Sequence, residues 1–389
     1  MRIRFAGHDD CSADAEQSRR LVALADEWIR LARATHPDSR EAIRALASLL
    51  ERLERRLEMV PSPRVASTAR WLISTGGARE LRPLVEWLVA RASSDGVDWL
   101  DAHAAASPAS QAVADAERRL GASLDGARVR IGFVRGHLLE VVVLASCFQS
   151  ARDQRAIDAV EMLVEDLLGE RVYEHWIAGV GAAPAPRASP LKLVSNEDQL
   201  MGSHPLLELP GLVALAIEGL LAGLPERPWS EQSDAEQWTL LEAEPELASD
   251  YAAQDDVAIA TTRAPELLKC YLQRSPFSSL RFSRHDEVFA YVKLDSRGDS
   301  ETRLAARREL EEQLGRALGP GRGAVIGNGL GVRYAYVDLA LEGLERSLRI
   351  VREVTALCAP SERAWIQFFD SDWSAEWVGV HASTPPPPR

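Results

Sequence analysis

Residues 319–341, GPGRGAVIGNGLGVRYAYVDLAL, constrain the fold more than any other stretch, because a glycine-dense run leads into a strand with two unlike faces. On the two-residue period of a strand, Tyr334, Tyr336 and Asp338 share one side, while Ala335, Val337, Leu339 and Leu341 share the other. The aliphatic side is a core face, which assigns the tyrosine and aspartate side to recognition rather than catalysis. Residues 287–294 repeat the arrangement: Glu287, Phe289, Tyr291 and Lys293 alternate with Val288, Ala290, Val292 and Leu294. If both strands belong to one sheet with helices on its aliphatic side, then Tyr334, Tyr336, Asp338, Phe289 and Tyr291 form one face. That face either meets a partner or is covered by another part of the chain.

The run GNGLG invites a dinucleotide-binding reading and fails it on context. A Rossmann fingerprint needs a strand, the glycine loop and then a helix whose N-terminus receives the pyrophosphate. Here a helix precedes and a strand comes after. No GxxxxGK[ST] phosphate loop is present either. The glycines instead serve a bulge, a positive φ or a close approach of backbones, and no cofactor is expected.

Between Ile43 and Val60, the apolar positions Ile43, Leu46, Leu50, Leu53, Leu57 and Val60 follow a heptad seam. Asp38 and Glu41 are read as a capping pair before it. An earlier helix carries Leu21, Leu24, Trp28 and Leu31, with a turn at Pro37, so the two predict an antiparallel helical hairpin. The expected organisation is a helical region over 1–105, a small α+β module over 106–200, and a connecting helix with an acidic linker over 201–236. A C-terminal α+β sheet domain over 237–382 and a proline-rich tail over 383–389 complete it. Within the second region, Ala127 to Ala145 reads as a hairpin turning at Arg135-Gly136. A helix then carries Ile157, Val160, Val164 and Leu167, Trp176 enters a further strand, and residues 181–190 are a linker or an extended edge. In the last domain, strands at 238–243, 257–262, 279–294, 323–341 and 364–380 are interleaved with helices at 265–272, 302–318 and 342–357. The predicted class is α+β, with mainly antiparallel sheets covered by helices.

At 389 residues the chain is long enough for two or three cores, and its 46% hydrophobic content fills them. The net charge of -13 opposes a phosphate backbone, whose binding depends on lysine and arginine displacing counterions, so nucleic acid is a poor partner. From Trp229 to Ile259 there are nine carboxylates and no Lys or Arg, which reads as a solvated acidic connector or as a dock for a basic protein. The apolar stretch Leu206 to Leu224 contains Glu208, Pro210 and Glu218, so it is read as a buried globular helix and not a membrane span. Cys11, Cys147, Cys270 and Cys358 form no CxxC pair and read as reduced thiols. With no apolar signal core at the start, a cytoplasmic protein is expected.

Candidate chemistry is sparse. Asp370-Ser371-Asp372 ends an apolar strand, and a DxD there, joined by Asp338, has the oxygen donors that a divalent cation prefers in sugar or phosphoryl transfer. The same three residues also suit a polar turn. His8-Asp9-Asp10-Cys11 lacks the spaced partners of a zinc site, and neither a GxSxG elbow nor an HExxH motif occurs. The leading expectation is a non-enzymatic protein-interaction module, such as an inhibitor, immunity-type or regulatory subunit, with an acidic and aromatic surface for a basic protein. The alternatives are a divalent-metal transferase or hydrolase using Asp370, Asp372 and Asp338, and a binder of single-stranded RNA on the tyrosine face.

Overall fold

The computed structural model describes residues 15–65, 68–135, 137–185, 202–232, 238–296, 298–359 and 361–388. His8 and Cys11, Gly136 of the predicted turn, and residues 186–190 of the 181–190 linker lie outside the described residues. The chain forms two compact units, one from the described parts of 1–59, 73–100 and 224–389, the other from 60–72 and 101–223. The protein is α+β with mainly antiparallel sheets.

Helices α1 (Ala15–Ala34) and α2 (Arg40–Leu53) make the expected hairpin, and the buried Trp28 donates its indole N–H to the Leu46 carbonyl at 3.1 Å. The cap differs from the expected Asp38 and Glu41 pair: Ser39 is the N-cap, and its hydroxyl accepts from the Ala42 N–H. The helix also stops at Leu53, before Leu57 and Val60, and the prolines at 61 and 63 suit the extended strand that comes next. Beyond Leu57 the chain turns to strand, contrary to an all-helical first hundred residues. Strand β1 (Glu58–Val65), strand β2 (Thr68–Ser74), helix α3 (Arg82–Ser94) and strand β3 (Leu100–Asp101) come in sequence, and the three strands form one sheet in the order β1-β2-β3.

The second unit holds α4 (Ala109–Leu120), β4 (Arg128–Val134), β5 (Leu138–Ala145), α5 (Gln154–Leu168), α6 (Glu170–Trp176), β6 (Ile177–Pro184), β7 (His204–Pro205) and α7 (Leu209–Ala222). The predicted hairpin is present as the antiparallel pair β4 and β5. Strand β6 lies parallel to β5, which requires the helical crossover that α5 and α6 supply. Trp176 closes α6 rather than opening the strand, which starts one residue later. The expectation of a buried helix holds only in part for α7, which buries Leu209 and Val213 but leaves Leu215 66% exposed. Its hydrophobicity lies on all sides, so composition does not reveal which side packs.

In the first unit the chain continues through β8 (Thr239–Glu242), β9 (Val257–Thr262), α8 (Pro265–Leu272), β10 (Val288–Asp295), α9 (Ser300–Ala317), β11 (Gly323–Gly331), β12 (Tyr334–Leu341), α10 (Leu344–Cys358), β13 (Ala364–Phe368) and β14 (Trp377–Gly379). Seven strands form an antiparallel sheet in the order β14-β13-β10-β12-β11-β9-β8. One face carries Ala290, Val292, Val337, Leu339 and Ile366 and packs on Leu310 and Leu314 of α9 and Leu348 and Val351 of α10. This is the aliphatic core that the alternation of β12 demands.

Candidate functional site

The opposite face of the same sheet carries the residues singled out for recognition, and the structure buries all of them. Tyr334 and Phe289 are 0% exposed, Tyr336 and Tyr291 1%, and Asp338 3%. In register, Tyr291 stands opposite Asp338 and Lys293 opposite Tyr336. The row is closed over by Tyr251 from the β8–β9 connection, by Leu267 and Leu268 of α8, and by Phe277 and Phe282 beyond it. As placed, these side chains offer no surface to a protein, and the same burial leaves no ring for a base to stack on. The physical reason is that large amphipathic rings gain most when their apolar bodies are buried and their hydroxyls find partners.

The hydroxyls of Tyr334 and Tyr336 find carboxylates. The Asp256 carboxylate, itself 0% exposed, accepts the backbone N–H groups of Arg333 at 2.7 Å and Tyr334 at 2.8 Å, and the hydroxyl of Tyr336 donates to its other oxygen. Asp250 accepts the Tyr334 hydroxyl at 2.5 Å and the Arg363 guanidinium at 2.6 Å. The buried Lys293 ammonium donates to the Tyr251 carbonyl at 2.6 Å and lies 4.1 Å from the centroid of the Tyr334 ring. Asp338 accepts the side-chain amide of Gln254 at 2.8 Å. The acidic run of 229–259 therefore has two functions. Asp256 acts as an internal staple and the half-buried Asp250 ties Tyr334 to Arg363, whereas Glu242, Glu244 and Glu246 are exposed.

The glycines of β11 are explained here. A Cβ on Gly331 would lie 2.4 Å from the Asp256 carboxylate, and one on Gly327 would lie 2.7 Å from Asp338 Oδ2. The strand is bare where it passes buried acids. Burial raises the Asp338 carboxyl to about 7, against the Gln254 hydrogen bond, and lowers the Lys293 ammonium to about 8 despite the nearby aspartates. Burial also lifts Tyr334 to about 12 and holds Tyr291 and Tyr336 well above the ordinary phenol range.

The DxD pair is not assembled as a cation site. Asp370 accepts both the backbone N–H and the hydroxyl of Ser279, the N–H at 2.7 Å, while Asp372 faces Arg79 at 3.6 Å. Asp338 sits on β12, separated from β13 by β10. Among the described residues, no group of three or more His, Cys, Asp or Glu converges as metal ligands. Cys147, Cys270 and Cys358 are free thiols, and burial raises each of them, which opposes a thiolate nucleophile. Among the described residues, no helix is long and apolar enough to cross a membrane.

Beside this core lies a cleft of about 1080 Å³, floored by Tyr291, Gln367 and Trp377, walled by Tyr271, Phe277 and Phe369, and flanked by Pro386–Pro388 of the tail. Asp338, Tyr291, Gln367 and Trp377 stand side by side across β12, β10, β13 and β14. Tyr271 and Tyr291 share a hydrogen bond between hydroxyls at 3.1 Å. Gln367 is 8% exposed, and its amide oxygen has no hydrogen-bond partner. Such an atom costs about 1–3 kcal/mol when left unpaired. Sequence reasoning missed Gln367, Gln254 and Tyr271, which carry no motif; the alternation of β13 placed Gln367 on a face but not beside a cavity.

Compared with protein families, with curated proteins and with solved structures, the chain matches none.

Proposed function

We propose that this is a protein-binding module that takes an extended, basic segment of another protein along the outer edge of β8, acting as an inhibitor, immunity-type or regulatory subunit would. One observation carries the reading: β8 is the last strand of the seven-stranded sheet, so its outer backbone groups have no strand partner among the described residues. Exposed sheet edges are templates for strand addition, where main-chain bonds supply affinity and alternate side chains supply specificity.

The surroundings favour a basic segment with interspersed apolar residues. Leu241 packs toward the aromatic core, so Trp238 and Leu240 point to the other side, where they are 40% and 56% exposed beside Ile259 at 41%. Glu242, Glu244 and Glu246 are exposed immediately after them, and no Lys or Arg occurs between 229 and 259. Long-range attraction of that sign speeds encounter and rejects acidic partners.

Titration of the full chain with a fluorescent peptide alternating Lys with Val, followed by anisotropy, tests the proposal. Saturable binding is expected, weakening about tenfold from 50 to 200 mM salt as exposed charges are screened. A version with Glu in place of Lys is expected not to bind. Equal binding of the two peptides, or no saturation by the basic one, would sink the idea.

A further inference from the structure

At the end of the sheet opposite β8, residues 385–388 of the proline run are held against β13 and border the cleft. We propose that the seat of this run is a binding site for a proline-rich segment of another protein, followed by a basic residue, and that residues 385–388 are its resident occupant, which the partner displaces. The seat shares no residue with the β8 edge.

Three features define it. Trp365 on β13 stands opposite Gly379 on β14, and Gln367 opposite Trp377, so two indoles lie diagonally on one face with a bare position beside the first. Trp365 donates its indole N–H to the Pro385 carbonyl at 2.6 Å, and Pro386–Pro388 line the cleft together with Trp377. Proline has no N–H, so its carbonyl is the main-chain group by which a donor beside aromatic surface holds a proline-rich segment. The second feature is how the run is anchored. Before it, Thr384 is 0% exposed and its hydroxyl accepts the His381 N–H at 2.9 Å; within it, Pro385, Pro387 and Pro388 are half-buried and Pro386 is exposed. Half-burial at 385 and 388 fits polyproline II, whose three-residue turn returns both to one side. Trp365 is 0% exposed with the run seated, and a partner reaches it by taking the place of the run, with no movement of the sheet. Charge is the third feature. Five carboxylates and two guanidinium groups line the cleft, Arg56 is already bound to Glu54 and Glu80, and Arg389 follows the prolines in sequence. A proline run with a following cation therefore enters a field of opposite sign.

The occupant is another protein rather than a second copy. Exchange with the same run of a second copy makes no new contact, and it forfeits the effective concentration, on the order of mM, that covalent connection gives the resident. A longer run from a partner adds contacts in the cleft, where about 1080 Å³ is open.

The test uses the full chain, native and with Pro385→Ser, Pro386→Ser, Pro387→Ser and Pro388→Ser combined, and the labelled peptides STPPPPR, STSSSSR and STPPPPE followed by fluorescence anisotropy. STPPPPR is expected to bind the substituted chain saturably and the native chain about tenfold more weakly, because the resident run competes. On the substituted chain STSSSSR is expected to bind about tenfold more weakly than STPPPPR, and STPPPPE about threefold more weakly at low salt. Adding Trp365→Phe keeps an aromatic ring and removes the donor, so STPPPPR should weaken about fivefold while its ratio to STPPPPE is unchanged. Absence of saturable STPPPPR binding to the folded substituted chain overturns the proposal. Equal binding of STPPPPR and STSSSSR would do the same, and that comparison can be made on the native chain if the substituted one does not fold. Equal affinity of native and substituted chains for STPPPPR would remove the resident occupant, and equal affinity for STPPPPR and STPPPPE the basic residue. An unchanged affinity in folded Trp365→Phe would remove the indole donor, and a native dimer that the substituted chain cannot form would give the seat to a second copy; each of these contradicts the proposal.

Discussion

The two faces of the seven-stranded sheet are buried alike and built from opposite materials. Under α9 and α10 the sheet shows Ala290, Val292, Val337, Leu339 and Ile366; on the other side it shows Phe289, Tyr291, Lys293, Tyr334, Tyr336 and Asp338. The aliphatic face needs only shape, because an apolar contact is non-directional and adjacent rotamers adapt. The aromatic face needs a specific partner for every polar atom, because a buried charge or hydroxyl without one is costly. One strand, β12, serves both through its alternation. Equal burial therefore does not mean equal tolerance to change.

The largest break between the two faces is expected from paired conservative substitutions. Asp256→Asn puts an amide where two backbone N–H groups and the Tyr336 hydroxyl now donate, and it should cost about 3–5 kcal/mol in urea unfolding. Leu339→Met on the other face should cost less than about 1.5 kcal/mol. Similar losses from both would erase the distinction.

A second effect depends on pH. With its folded value raised to about 7, Asp338 keeps its proton where the unfolded chain has released it, so its contribution to stability is full in acid and is lost as pH rises toward 7. Asp338→Asn removes that dependence. Between about pH 4 and pH 8 the stability difference should move in favour of the variant by on the order of 2–4 kcal/mol, measured as paired thermal melts. Lys293 has the opposite sign: its value is lowered to about 8, so stability associated with it rises from there toward the ordinary lysine range. Parallel pH profiles of the wild type and Asp338→Asn would contradict the buried-acid assignment.

Gly331→Ala should cost about 2–3 kcal/mol, since the new methyl meets the Asp256 carboxylate, which its two backbone donors hold in place. The smallest effect sharpens the contrast between inside and outside. Leu240→Ser on the open edge should change stability by less than about 0.5 kcal/mol while weakening the basic peptide through the lost apolar contact.

Much of the scaffold was legible from local pattern. Helix α8 over Pro265–Leu272, strand β9 over Val257–Thr262 and the β4–β5 hairpin appear where periodicity puts them. These segments announce themselves because proline at a helix start, alternation and turn residues act within a few positions of the chain. Strands β1 and β2 did not, as the heptad pattern runs on past Leu53, where the helix ends, into β1. The cleft was illegible for a different reason. Gln367 on β13 lies far along the chain from Tyr271 on α8 and Phe277 just beyond it, and no local spacing records that they meet.

By itself the sequence determined that β12 has one aliphatic and one aromatic-acidic face, that glycines precede it and that the 229–259 run is acidic. Side-chain period and residue chemistry are local properties, so they survive without a structure. Tertiary structure alone decided what each face meets. It folded the β8–β9 connection and α8 over Tyr334 and Tyr336, turned Asp256 inward, tied Asp250 to the Tyr334 hydroxyl, and left Glu242, Glu244 and Glu246 outside. Whether a tyrosine is a contact or a core residue depends on what covers it. That depends on segments tens of residues away whose burial is favourable only once the whole sheet exists.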